Sequence, residues 1–354
     1  MSRFLHPQYA GLEAYTPGEQ PRDQQYIKLN TNESPYPPSP AVLAALTEQD
    51  LADLRLYSDP EGTALRAKLA ELYGVEAEQV FLSNGSDDIL NFAFMAFGAD
   101  GAVFPALTYS FYPVFANLHG VAYETVPLRE DFTLDVAGMQ GKGKLTVFPN
   151  PNAPTGIALP LDQVEAIVAA NPDHVVVVDE AYVDFGADSA VPLLQKYENL
   201  LVVMTYSKSR SMAGARLGFA LGSRALIQDL EKLKYSTNPY NVNRLTLKLG
   251  QAAVDSDGYF REKAREIMAT REKTAQALRA LGFTLPDSQA NFLFVAHPKV
   301  AGETLYRKCK EKGVLIRHFS DPAIAAYNRV TIGAPAEMEA FLAVVQTILK
   351  EEGA

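Results

Sequence analysis

Cysteine occurs once, at Cys309, and tryptophan not at all. A lone cysteine closes no internal disulfide and builds no zinc cluster, so neither a disulfide scaffold nor a cysteine-ligated metal is expected. The five histidines, His6, His119, His174, His297 and His318, are scattered without metal-ligand spacing, and no metal is expected at all. Long apolar runs are missing too. The most apolar stretch, 89–97, is about half of the roughly 20 residues that a membrane-crossing helix needs, so it reads as a buried helix. Residues 1–15 lack the apolar core of a secretory signal, and a reducing cytoplasm is the expected setting. Basic residues are outnumbered 32 to 42, and a formal net charge of −10 argues against a broad surface for nucleic acid or anionic lipid. An anionic ligand must then be met by a few placed arginines.

What is present, 354 residues with 47% apolar and 21% charged, suffices for a large domain and a smaller one. The turn formers Pro17, Gly18, Pro21, Asn30, Asn32, Pro35, Pro37, Pro38 and Pro40 make residues 1–40 an arm laid over something else. Over 63–73, Ala64, Leu65, Leu69 and Leu72 fall at helical spacing and Gly74 stands where a helix stops. Short apolar runs at 80–82, 145–148, 175–178, 201–204 and 219–221 alternate with stretches long enough for helices. Their continuous hydrophobicity predicts strands covered on both faces, hence an α/β unit over 41–245 with a mainly parallel sheet flanked by helices. After 245 the texture changes to charged helices with Phe260, Ala264, Ile267, Met268, Ala275 and Leu278 on one face. Strand-like 292–295, 314–316 and 329–332 and a terminal helix from 335 follow, a smaller α+β unit over 246–354 joined by part of the arm.

Chemistry concentrates at the ends of the apolar runs. Asp179 follows four consecutive valines, at the carboxyl end of a buried strand, where open α/β sheets bind ligands. A carboxylate there needs a cation, and a protonated pyridine nitrogen is one. Lys208 sits just past another strand, where a partly buried amine can form an imine with an aldehyde cofactor. Asn-Gly-Ser-Asp at 84–87 offers the backbone N–H groups of Gly85, Ser86 and Asp87 at a helix start, an anion site that Ser207 and Arg216 can complete. Tyr109 can stack on a flat ring, and Tyr182 lies within reach of a cofactor oxygen. Singly, each has a plain alternative: a helix-capping Asp, a solvated Lys, a common Gly-Ser turn, a core aromatic. Gly141-Lys-Gly143 begins like a dinucleotide loop, but Thr146 stands where a third glycine belongs, and it reads as a turn.

In this order the motifs resemble the fold-type I pyridoxal-phosphate aminotransferases over essentially the whole chain, and within them the histidinol-phosphate aminotransferase subfamily. The likeness is carried by Leu-Asn-Thr-Asn-Glu-Ser-Pro at 29–35, Asn-Gly-Ser-Asp at 84–87, Pro-Thr-Gly at 154–156, Asp-Glu-Ala-Tyr at 179–182, Ser-Lys at 207–208, Ala-Gly-Ala-Arg at 213–216, and Arg317 and Arg329. It implies an aspartate-aminotransferase-like fold with pyridoxal 5'-phosphate held by Lys208 as a Schiff base. Asp179 and Tyr182 would tune the ring and Tyr109 stack on it, while Gly85, Ser86, Asp87, Thr205, Ser207 and Arg216 hold the phosphate. Tyr57 matches a tyrosine that relatives lend to the neighbouring subunit, so a homodimer with shared sites is implied. Relatives place an asparagine before the Pro-Thr-Gly turn, against the cofactor's O3′; here that position is Ala153, and either Asn152 reaches the oxygen or Tyr182 serves alone. Asn152 is the reading adopted.

The same resemblance assigns Arg329 to a substrate α-carboxylate, Arg317 to a substrate phosphate, and Tyr15 to the substrate as well. The expected reaction converts histidinol phosphate and 2-oxoglutarate to imidazole-acetol phosphate and glutamate, a step of histidine biosynthesis. An aromatic amino-acid aminotransferase and a threonine-phosphate decarboxylase carry nearly the same motifs. A catalytically silent, aminotransferase-like binding domain is opposed by the joint presence of Lys208, Asp179 and Arg216.

Overall fold

The computed structural model describes residues 2–13 and 15–354. The arm contributes strand β1 (Ile27–Lys28), then the short helices α1 (Pro40–Leu43) and α2 (Glu48–Ala52). Helix α3 (Thr63–Tyr73) buries Leu65, Leu69 and Ala70 and ends at Gly74, whose φ of 67° only glycine adopts freely. It matches the helix and the stop expected from the spacing.

The main sheet is then laid down by β2 (Val80–Ser83), β3 (Ala102–Pro105), β4 (Tyr123–Val126), β5 (Leu145–Pro149), β6 (Val176–Asp179), β7 (Leu200–Thr205) and β8 (Gly218–Gly222). Between them run α4 (Ser86–Phe97), α5 (Phe111–His119) and α6 (Leu161–Ala169). The strand order is β2-β8-β7-β6-β5-β3-β4, and of the seven strands β8 alone runs against its neighbours. The expectation of a mainly parallel, doubly covered sheet holds, and its cause is visible in β6. Val176 and Val178 enter the apolar core on one face and Val177 the core on the other, so no position is left for a polar residue. Each such valine, fully removed from water, stabilises the fold by about 1.5 kcal/mol or more.

The rest of the chain forms α7 (Arg224–Thr237), α8 (Arg244–Asp255), the long α9 (Asp257–Ala280), β9 (Phe292–Ala296), α10 (Gly302–Glu311), β10 (Val314–Leu315), β11 (Arg317–His318), β12 (Tyr327–Thr331) and α11 (Pro335–Glu352). Strands β11, β12 and β9 make an antiparallel sheet, while β1 of the arm pairs in parallel with β10, Ile27 opposite Val314. A third apolar core gathers Ala264, Ile267, Leu278, Phe292 and Val345 together with Leu29 of the arm.

Three expectations shift. The run 314–316 is interrupted at Ile316, between β10 and β11. Helix α4 starts at Ser86 instead of near 89, because Asp87 and Asp88 occupy its first turn, where the helix dipole favours acidic groups. Strands β3 and β4 had no counterpart in the apolar runs. Gly141 and Gly143, at φ 59° and 62°, form the turn before β5. Among the described residues no helix is long and apolar enough to cross a membrane, and no His, Cys, Asp and Glu group is placed to hold a metal ion.

Candidate active site

Because β2, β6 and β7 run in one direction, their last residues, Ser83, Asp179 and Thr205, come out at one edge of the sheet. Lys208 lies three residues past that edge. There a cavity of about 160 Å³ is lined by Lys208, Asp179, Tyr182, Tyr109, Ser86, Asp87, Thr205, Ser207, Arg216 and Ala153, with Thr31 and Glu33 of the arm. Twelve residues were singled out in the sequence as holding or tuning a cofactor, Lys208 among them, and ten of them line this cavity or, like Gly85, frame it.

Asp179 is buried, 4% exposed, and burial pushes its carboxyl up to about 6. Two donors work against that rise: the Tyr112 hydroxyl at 2.9 Å on one oxygen and the Ala181 N–H at 3.2 Å on the other. Neither is a cation, so the site offers a nearly dry carboxylate to a positive group. Tyr112 was missed as a site residue; it lies three residues past Tyr109, in the first turn of α5, and its ring packs edge-on against that of Tyr109 at 5.7 Å. The Lys208 ammonium meets the Thr31 carbonyl at 3.4 Å and lies 5.8 Å from the centre of the Tyr182 ring.

Opposite the lysine the walls are made of donors. Helix α4 begins at the cavity, with the N–H groups of its first turn unused inside the helix. Gly85 precedes it at φ 89°, and a Cβ on it would stand 2.5 Å from Nη2 of Arg216. Gly218 of β8 lets that strand approach equally closely: its Cβ would lie 2.4 Å from the Ser86 nitrogen. Arg216, itself at φ 52°, reaches Oδ2 of Asp87 at 3.2 Å, and the Tyr109 hydroxyl donates to Oδ1 at 2.8 Å. The Thr205 hydroxyl donates to Oγ of Ser207 at 3.0 Å. Hydroxyls, amides and a guanidinium around one concavity form a cup for a tetrahedral anion.

Two residues lie elsewhere. Asn152 lines a small apolar void with Leu128, Phe132 and Leu159 instead of this cavity. Its amide nitrogen is spent on the Leu107 carbonyl at 3.2 Å and Oγ1 of Thr155 at 3.1 Å, while its Oδ1 is buried without a partner. The side chain on the cavity wall is Ala153, which carries no polar atom. The polar contact to Tyr182 comes instead from Asn32, whose Nδ2 donates to the hydroxyl at 2.9 Å. No local pattern signals this pair, since the partners are 150 residues apart. Tyr57 is 77% exposed, stacked on Tyr240 at 4.4 Å, away from its own chain's cavity.

A second cavity, of about 430 Å³, shares Tyr109 and Ala153 with the first and extends to Tyr15, Thr108, Phe319, Arg317 and Arg329. Tyr15 stacks on Phe111 at 4.2 Å. Arg317 and Arg329 are cross-strand partners in the β11–β12 pair, so both guanidinium groups leave the same face of the sheet. Arg329 spends one nitrogen on the Asn30 carbonyl at 3.2 Å and leaves its buried Nε without a partner. Burial, with Arg317 adding to it, holds the Arg329 guanidinium below its ordinary value. Neither arginine pairs with a carboxylate among the described residues.

Behind the lysine loop lies a wider cleft of about 510 Å³, lined by Ser209, Arg210, Asp184, Asp257 and Arg261. Its charged groups are largely engaged with one another: Asp257 takes Arg210 at 2.9 Å as well as Arg261, and Ser209 donates to Asp184, while one buried nitrogen of Arg210 is left without a partner. The chemistry therefore belongs to the pair of cavities that meet at Tyr109.

Comparison with known proteins agrees with this geometry. The chain is 48% identical over 353 residues to the histidinol-phosphate aminotransferase of Brachyspira hyodysenteriae, covering 99% of this chain and 100% of that relative. In three dimensions it is similar to the histidinol-phosphate aminotransferase of Sinorhizobium meliloti solved in complex with pyridoxal-5'-phosphate, with a TM-score of 0.88 and 24% identity over 99% of this chain and 98% of that one. A tetra mutant of Thermus thermophilus aspartate aminotransferase superposes with a TM-score of 0.83 at 19% identity, over 98% and 100% of the two chains, which makes the fold aspartate-aminotransferase-like. The family model for class I and II aminotransferases matches residues 24–345, nearly all of the chain and every residue of the lysine cavity, and the chain belongs to that family.

Proposed function

We propose that the protein is a pyridoxal-phosphate-dependent aminotransferase that takes the amino group from histidinol phosphate and passes it to 2-oxoglutarate. One observation carries the choice of substrate: two guanidinium groups, in register and without carboxylate partners, face a cavity that opens onto the lysine. Like charges held together await an anion on the substrate, and both a phosphate monoester and a dicarboxylic acid supply one.

The residues fit the cofactor. Three of its polar features, an aldehyde, a ring nitrogen and a phosphate, correspond to the amine of Lys208, the dry carboxylate of Asp179 and the cup of Ser86, Asp87, Thr205, Ser207 and Arg216. When bound, it supplies a carbonyl for amine exchange and an electron-poor ring that eases loss of the substrate's α-proton. Asp179 keeps a proton on the ring nitrogen, because its buried charge is relieved only by a cation. Lys208 Nζ is the base that takes the α-proton and returns it, since among the described residues it is the lysine on the cavity wall. Arg216 and the amides of α4 hold the phosphate, while Arg329 and Arg317 orient the substrate and exclude partners lacking an anion. In the same reading residues 41–245 hold the cofactor, and residues 246–354, completed by β1, meet the substrate. The exposed Tyr57 reaches the phosphate of a second copy, so the working form is a homodimer, and its setting is the cytoplasm.

The test is a half-reaction. Purified, cofactor-loaded protein is mixed with histidinol phosphate alone and its visible absorbance followed, with phosphothreonine and phenylalanine run beside it. Bleaching by histidinol phosphate, reversed by 2-oxoglutarate and absent in Lys208→Ala, is the expected outcome. Preferential bleaching by phenylalanine would make it an aromatic aminotransferase, release of carbon dioxide from phosphothreonine a decarboxylase, and no visible band at all would remove the cofactor from the argument.

A further inference from the structure

Asn32 is 1% exposed, sits in the left-handed region at φ 57°, and has all its polar atoms assigned. Its N–H donates to Oγ1 of Thr331 at 2.9 Å, and the Thr331 hydroxyl donates back to its Oδ1 at 3.0 Å. Its carbonyl accepts from Nδ2 of Asn291 at 3.0 Å. With Oδ1 occupied by the threonine proton, Nδ2 is the atom turned to Tyr182, and the tyrosine oxygen is the acceptor at 2.9 Å. The Tyr182 hydroxyl proton is thereby pointed away from Asn32. Among the described residues that proton meets no acceptor, and the ring lines the cavity of Lys208 and Asp179. Across this cavity the side chain at 153 is a methyl group.

We propose that Asn32 is a positioning residue for the reaction: it fixes the Tyr182 hydroxyl as a donor into the cofactor cavity and ties that hydroxyl to the strand that carries Arg329. The inference rests on the proposed function and deepens it. A hydroxyl that accepts from an amide becomes a stronger donor, and a stronger donor favours the deprotonated form of an oxygen facing it. The same short segment is bound to the substrate side, since the Thr331 N–H donates to the Leu29 carbonyl at 2.9 Å and Arg329 to that of Asn30 at 3.2 Å. Residues 29–32 thus link the tyrosine to the arginine strand through five hydrogen bonds.

The experiment is a pH titration of the visible absorbance of the cofactor-loaded enzyme, for wild type, Asn32→Asp, Tyr182→Phe and the double variant. Asn32→Asp keeps the acceptor for Thr331 but makes the tyrosine donate to the carboxylate instead of into the cavity. The expected result is an upward move of the titration midpoint by roughly half to one pH unit, the size of one hydrogen bond, and no further move when Asn32→Asp is added to Tyr182→Phe. Thr331→Val, which releases the amide without changing the asparagine, moves the midpoint the same way by less, and serves if Asn32→Asp fails to fold. An unchanged midpoint, or one that moves equally in the Tyr182→Phe background, overturns the proposal. A wild-type protein without a visible band overturns the cofactor reading, and this inference with it, before any variant is made.

Discussion

At the carboxyl edge of the seven-stranded sheet, charged groups arrive with partners: Arg216 with Asp87, Asp87 also with Tyr109, Asp179 with Tyr112. Across the cleft, on the antiparallel sheet, Arg317 and Arg329 stand opposite each other with no carboxylate between them. On the proposed function, the first region is arranged around a ligand that stays, the second around one that comes and goes. In the first, partners within the chain hold the geometry. In the second, repulsion between guanidinium groups is left in place, and on the proposed function an anionic substrate removes it, which would convert charge into selectivity.

The largest way to sharpen this comparison is Lys208→Ala, which leaves both sets of charges intact and removes only the amine; the half-reaction rate should fall by at least about 10⁴-fold in single-turnover absorbance. Next, Arg329→Leu should lower kcat/KM for 2-oxoglutarate by roughly 10² to 10³-fold, as expected for an ion-paired guanidinium, while cofactor affinity in equilibrium dialysis stays the same. Arg216→Leu should do the reverse. Equal losses of cofactor in the two variants would erase the distinction between the regions.

Asp179 gives a test by stability. Its carboxyl rises in the folded chain from 3.8 to about 6, so without cofactor the folded state holds the proton more tightly than the unfolded one. Stability from this group is then full below about pH 4 and lost as pH climbs through about 6, a difference of at most roughly 3 kcal/mol. Cofactor-free Asp179→Asn should therefore melt higher than cofactor-free wild type at pH 7.5, the two converging near pH 4 in calorimetry, although the variant is inactive when loaded. Identical melting at pH 7.5 would mean that the buried carboxylate is not under strain. The smallest effect is that of Gly85→Ala: strain of about 1 kcal/mol at φ 89° and contact with Arg216 should weaken cofactor binding by about tenfold with the fold retained.

Much of the carboxyl edge was legible because burial on two faces leaves a plain trace. The valines before Asp179, the apolar run before Lys208 and the Gly-Ser turn before α4 each announce a strand end. What stayed illegible had no such trace. Strand β4 is mostly exposed, so no apolar run marks it, and β1 is two residues long and exists only through its pairing with β10. The face-to-face placement of Arg317 and Arg329 depends on strand register, which spacing along the chain does not encode. Asn32 is a further case: Asn152 is the nearer candidate in sequence, yet its amide is consumed by the Leu107 carbonyl and Thr155, and the contact to Tyr182 is made from a distant arm.

The pairing of β1 with β10 sets an order of events in the life of the chain. Ile27 waits for Val314, and Leu29 for Thr331, so on the ribosome the large sheet, its lysine and its phosphate cup are made long before the arm has a place to go. A half-made chain lacks the wall that Thr31 and Glu33 give the cavity, whatever else it has formed. Closure of the cavity therefore doubles as a proof of synthesis: its wall is complete only once the chain has been read through its last strand, β12, and the arm has come back to meet it.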